Sequence, residues 1–157
     1  MNNKEKIDRL YKMRFLENEC DSIEQFEELL NDLSERGTIE DLPGLCKVFE
    51  DQVAEASTDD YLLETIFHII HKQNTSDGMK SLVYGISHML PQAEFWAEQI
   101  QKAILNSPKL LQVYKEVLLD AEKKNLDQIR ELLLSIRESE PDKYSLQIDS
   151  ILDGFKG

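Results

Sequence analysis

Several features that would point to chemistry are missing from this sequence. Its 157 residues include only two cysteines, and Cys20 and Cys46 without a companion pair support neither a disulfide framework nor a zinc site. The six glycines form no GxxxxGK or GxGxxG loop, and no serine lies in a GxSxG turn. The common phosphate-binding and hydrolase motifs are therefore excluded, and no catalytic residue or cofactor is predicted.

Long apolar runs are also missing. The first residues, MNNKEKIDRLYKMRF, carry charges throughout and lack the apolar segment of a secretory signal, and no run approaches membrane-spanning length. We therefore expect a cytoplasmic protein with two reduced thiols, at least one of them in the core, and no membrane partner.

Positive charge is scarce in one part of the chain. Residues 15–64 contain 16 acidic residues but only Arg36 and Lys47 as bases, while the whole chain has a net charge of -13. Such a field repels nucleic acid and anionic membranes and attracts a cationic partner at long range. The alternative is a solvated acidic surface that only keeps the protein soluble.

Apolar residues recur at the spacing of amphipathic helices, and no segment alternates as a strand does. Ser22 is predicted to cap one helix, Gly37 to end it in a left-handed turn, and Asn125 to cap another. After a first helix from about Lys4 to Leu16, the remaining starts fall near residues 22, 41, 58, 77, 92, 107, 125 and 141. The predicted fold is a single all-α domain over residues 1–157, with antiparallel helical hairpins stacked as a short α-solenoid or compact helical array.

The predicted helix from residue 59 to 73 has a polar side opposite its apolar stripe. Glu64, His68 and His71 share that side on a wheel of about 100° per residue, which would allow a weak metal site. No HExxH motif and no ligand from another helix accompany them, so a polar ridge is the favoured interpretation.

Two blocks carry a family resemblance: LPGLCKVFEDQVAEASTDDYLLETIFHIIH over residues 42–71 and EFWAEQIQKAILNSP over residues 94–108. Their shared elements are Asp51 near one helix end, His68 inside an apolar helix, and Trp96 followed by an ILNS helix end. On these elements the chain resembles the immunity protein 30 family of bacterial polymorphic toxin systems. The resemblance implies an all-helical protein that neutralises a cognate toxin, often a nuclease, by direct binding.

The acidic region and the resemblance together predict a partner-binding surface for a basic toxin. Its expected contacts lie on the solvent side of two adjoining helices: Asp51, Asp59, Asp60, Glu64 and His68. The main alternative is an α-solenoid adaptor that binds a peptide or protein subunit unrelated to toxins. An enzyme using Glu64, His68 and His71 around a metal is a third hypothesis.

Overall fold

The computed structural model describes residues 1–53 and 56–155, and this part of the chain folds into α-helices without a strand. The predicted all-α fold is confirmed. The helices are α1 (Asn3–Lys12), α2 (Ile23–Arg36), α3 (Leu42–Cys46), α4 (Ala56–Lys72), α5 (Thr75–Gly85), α6 (Glu94–Leu105), α7 (Pro108–Leu118), α8 (Lys123–Ser139) and α9 (Pro141–Asp153).

Short polar side chains begin several helices by accepting otherwise unpaired backbone N–H groups. Ser22 accepts from the N–H of Gln25 at 3.1 Å, and Ser107 accepts from the N–H of Leu110 at 3.2 Å. Both starts agree with the sequence prediction, because a hydroxyl at this position replaces a missing helical hydrogen bond.

The end of α2 differs from the prediction. Gly37 adopts an extended conformation, with φ -68° and ψ 150°, so the predicted left-handed turn is wrong. A glycine is needed there for space: a Cβ atom would collide with the carbonyl oxygen of Leu33 and lie 2.8 Å from Ile69 Cδ1. The Leu33 carbonyl at the end of α2 and the close approach of Ile69 on α4 therefore select glycine here, and a left-handed backbone does not.

Other helices also differ in extent from the prediction. Helix α1 ends at Lys12 and does not reach Leu16. The segment after Asp41 forms only the five-residue helix α3, preceded by a 3₁₀ turn over Ile39–Asp41. Helix α8 already begins at Lys123, which places the predicted cap residue Asn125 inside the helix, where it is buried.

Helices two apart in the chain pack side by side. α2 packs extensively on α4, α3 on α5, α5 on α7, and α6 on α8. In the first of these pairs Tyr61 donates a hydrogen bond to Asn31, and Ile69 lies beside Gly37. Later residues of α4 therefore contact later residues of α2, so the two helices run in the same direction. One continuous apolar core extends from Ile7 in α1 to Ile151 in α9. This arrangement agrees with the predicted compact helical array.

None of the helices in the described part of the chain combines the length and apolar character needed to cross a lipid bilayer.

Candidate functional site

Three of the predicted contact residues lie on the outer side of α4. Asp60, Glu64 and His68 are all exposed. Together with His71 they span roughly 80° of the helix, on a wheel of about 100° per residue. The buried residues Leu62, Ile66, Ile69 and Ile70 occupy the opposite side. A partner could therefore reach these three side chains without any change in the fold.

Asp59 is different, and the prediction that it lies on the solvent side is wrong. Its side chain is fully buried, and its Oδ2 atom accepts the backbone N–H of Glu50 at 3.3 Å. The periodicity of α4 explains this position. Asp59 precedes Ile66 by seven residues and Ile70 by eleven, which places all three on one side of the helix.

Burial changes the acidity of Asp59. The loss of solvation raises the pKa of this carboxyl from its ordinary 3.8 to about 7, although the hydrogen bond from Glu50 opposes the change. The negative charges of Asp51, Glu50 and Asp60 raise the pKa further. Within the described residues, Oδ1 of Asp59 has no hydrogen-bond partner. The carboxyl group of Asp59 therefore keeps its proton up to near neutral pH, because it is buried and has negatively charged neighbours.

Asp51 is half-buried and holds the start of α6. Its Oδ2 atom accepts the backbone N–H of Phe95 at 3.0 Å, and its own N–H donates to the carbonyl of Gln92 at 3.1 Å. The residue at the start of α6, Ala93, has no side chain that could do this. Asp51 therefore acts as a cap supplied from a distant part of the chain, a role that the spacing of the sequence did not reveal.

Helix α2 adds acidic residues that the predicted site did not include. Glu24, Glu28 and Glu35 are exposed, and their positions fall within about 40° of one another on α2. The signal was present in the sequence, because residues i, i+4 and i+11 share one side of a helix.

The hydrogen bond from Tyr61 to Asn31 places the two outer sides next to each other. Asn31 lies beside the three glutamates on the α2 wheel, and Tyr61 lies beside His68 on the α4 wheel. We use the name acidic face for the five exposed carboxylates of this surface: Glu24, Glu28, Glu35, Asp60 and Glu64.

Bases from the later helices do not neutralise this region. Within the described residues, the acidic side chain between residues 15 and 64 that forms ion pairs is Asp32, which pairs with Lys6 and with Arg36. Lys72 donates to backbone carbonyls at the end of α2, at 2.6 and 2.9 Å. Glu55, which belongs to the acidic region of the sequence, lies outside the described residues.

The metal hypothesis for Glu64, His68 and His71 gains no support from the geometry. Across residues 1–53 and 56–155, no three His, Cys, Asp or Glu side chains lie close enough together to hold a metal ion.

Comparison with known proteins decides the family. A sequence model of Immunity protein 30 matches residues 12–114, about two thirds of the chain, including both blocks that carry the resemblance. The chain belongs to the Immunity protein 30 family. The match extends from the end of α1 into α7, so this immunity protein carries its acidic face within the part that it shares with the family.

No curated protein and no solved structure matches the chain. The family description itself implies an immunity protein that acts against a toxin.

Proposed function

We propose that this immunity protein neutralises a cationic toxin, specifically a nuclease, by direct binding through the acidic face. The observation that carries the proposal is the set of five exposed carboxylates on α2 and α4 that no base among the described residues pairs with. A nuclease surrounds its active cleft with positive charge because it must hold phosphates. An unpaired acidic surface is attracted by the same charge.

The proposed contacts are Asp60, Glu64 and His68, joined by Glu28 and Glu35 of the neighbouring helix. All five side chains are exposed, so binding would remove water from them without unfolding any part of the protein. Asp51 and Asp59 contribute differently, since they fix the loop before α4 and the start of α6. Charge pairs that lose their water at the centre of the interface would dominate the affinity, while pairs at its rim would mainly change the association rate.

The proposed place of action is the cytoplasm of the toxin-producing cell. Both cysteines are free, and Cys20 is exposed, as expected in a reducing compartment where thiols persist.

The test is co-expression with the toxin encoded beside the gene for this chain. Cells that produce the toxin and the immunity protein should grow, and cells that produce the toxin alone should die. Purified immunity protein at an equal molar amount should stop the toxin from degrading DNA or RNA. Death of cells that contain abundant folded immunity protein would contradict the inhibitor function, and a toxin without nuclease activity would contradict the nuclease assignment.

A groove favours the second candidate function, an adaptor for a peptide. It encloses about 820 Å³ between α1, α3 and the turn before α6, and its lining includes Lys4, Asp8, Tyr11, Lys47 and His88. The lining combines two lysines with three carboxylates, so its net charge is small and a neutral partner held there would bind with little dependence on salt. Capture of a neutral peptide with salt-independent affinity would favour the adaptor over the inhibitor.

A further inference from the structure

An exposed aromatic side chain lies at the start of α6, within the residues shared with the family. Phe95 is 54% exposed although it is a large apolar residue. Its ring contacts Trp96 edge to face, with ring centroids 5.3 Å apart, and Trp96 in turn stacks on Phe49 at 5.9 Å. Because Trp96 and Phe49 are buried, the ring of Phe95 is held in place by the core while its other side remains open.

Three acidic residues lie near Phe95. Asp51 accepts the N–H of Phe95 itself, Glu94 is the preceding residue, and Glu98 follows one helical turn later. Burial raises the pKa of Glu98, and the charges of Glu94 and Asp51 raise it further. Glu94 and Asp51 are therefore close enough to Glu98 for their charges to change its pKa.

The negative charge around Phe95 is only partly compensated. Glu98 accepts a hydrogen bond from Ser135 at 3.3 Å and interacts with Lys102, but Lys102 forms its ion pair with Glu140 at 2.6 Å. Oδ1 of Asp51 is buried and has no hydrogen-bond partner within the described residues, so the charge of Asp51 acts on this region at a distance. The open ring therefore lies in a negative local field.

Three other exposed apolar side chains lack this environment. Leu119 and Leu146 are 69% and 85% exposed but lie outside residues 12–114. Tyr84 is 56% exposed, yet its ring contacts that of His88 and Lys80 precedes it by one turn. Phe95 alone among these four combines an open aromatic ring, a rigid base and nearby carboxylates.

We propose that Phe95, with Glu94 and Glu98 near it on the same helix and the negative charge of Asp51 at the start of that helix, is the contact point for an arginine side chain of the toxin. A guanidinium group stacks on an aromatic ring and at the same time donates hydrogen bonds to carboxylates, which a lysine ammonium or an apolar side chain does less well. Aromatic residues are enriched in protein interfaces, and well-packed aromatic side chains often carry much of the binding energy. The inference rests on the proposed function, since it names the side chain by which the toxin is held.

The experiment measures the dissociation constant of the toxin encoded beside the gene, for the wild-type chain and for Phe95→Ala, Phe95→Leu and Leu146→Ala. Phe95→Ala is expected to weaken binding by about tenfold or more, because it removes the stacking surface. Phe95→Leu is expected to weaken it nearly as much, since it keeps apolar area but loses the aromatic face. Leu146→Ala removes an even more exposed apolar side chain and should leave the dissociation constant unchanged. Circular dichroism checks that each variant folds.

The possible failures are distinguishable. If the wild-type chain does not bind the toxin, the proposed function fails and this inference fails with it. If the wild type binds and Phe95→Ala binds within about twofold of it, the contact point is overturned while the proposed function stands. If Phe95→Leu binds the toxin as tightly as the wild type does, the partner group is apolar, and the proposed arginine contact is overturned. Loss of a dimer on Phe95→Ala, with toxin affinity unchanged, would show that the ring joins two copies of this chain instead.

Discussion

Carboxylates in the first and second halves of the molecule have different partners. On α8 and α9 acidic side chains lie beside bases, as in the pairs Lys123 with Asp127 at 3.1 Å and Arg137 with Asp149. On α2 and α4 the exposed glutamates and Asp60 have no such pairs within the described residues. Surface charge in the later helices is balanced locally, whereas the acidic face retains a field that reaches a partner.

A second contrast lies inside the acidic region. Asp59 and Asp60 are neighbours in sequence, yet one is fully buried and the other exposed. The difference shows that an acidic residue at the start of a helix can stabilise the local structure or remain available to a partner. The following predictions separate these roles, beginning with the largest expected effect.

Charge reversal on the acidic face should have the largest effect. Glu28→Lys with Glu64→Lys is expected to slow association with the toxin by about tenfold to a hundredfold at low salt, because it removes electrostatic attraction. The control, Glu131→Lys with Glu138→Lys, changes the net charge equally on exposed positions of α8. Stopped-flow fluorescence measures both rates. Equal slowing by the two double variants would mean that only the net charge matters.

Asp59→Asn should stabilise the protein at neutral and alkaline pH. Because the folded pKa of about 7 exceeds the ordinary 3.8, the folded state binds the proton more tightly, and the free energy of unfolding falls as pH rises between these values. Asparagine removes this loss. A difference of about three pKa units corresponds to at most about 4 kcal/mol, so a gain up to this size is expected near pH 8 and none near pH 4.

Denaturant unfolding at several pH values measures this effect, with Asp60→Asn as the exposed control. Parallel stability profiles for the wild type and Asp59→Asn across that pH range would contradict the buried, proton-binding role of Asp59.

Asp51→Ala should lower the free energy of unfolding by about 1 kcal/mol, because the start of α6 loses its cap. Asp60→Ala removes the same charge from an exposed position and should cost less than about 0.5 kcal/mol. Thermal unfolding of the two variants gives the comparison. Equal stabilities would mean that the bond to Phe95 contributes nothing.

Arg137→Ala should have the smallest effect. Its ion pair with Asp149 joins two side chains that are 38% and 53% exposed, and such surface pairs contribute less than about 0.5 kcal/mol. Toxin binding should be unchanged, since the pair lies outside the family-matched residues. A measurable loss of toxin affinity would extend the binding surface onto α8 and α9.

The helices and the outer side of α4 could be predicted because both follow from periodicity within one segment. The same wheel places Asp59 beside Ile66, so its burial was also accessible from the sequence, although its charge suggested the solvent. The bond from Phe95 to Asp51 spans 44 residues and depends on how the loop before α4 meets α6, which no local pattern encodes. The need for glycine at residue 37 likewise depends in part on the approach of Ile69 from another helix.

The salt dependence of toxin association tests the central claim most directly. If the unpaired carboxylates of the acidic face attract the toxin, the association rate should fall by about tenfold or more between roughly 50 and 500 mM NaCl, while the dissociation rate changes little. An association rate that stays within about twofold over the same range would contradict the account.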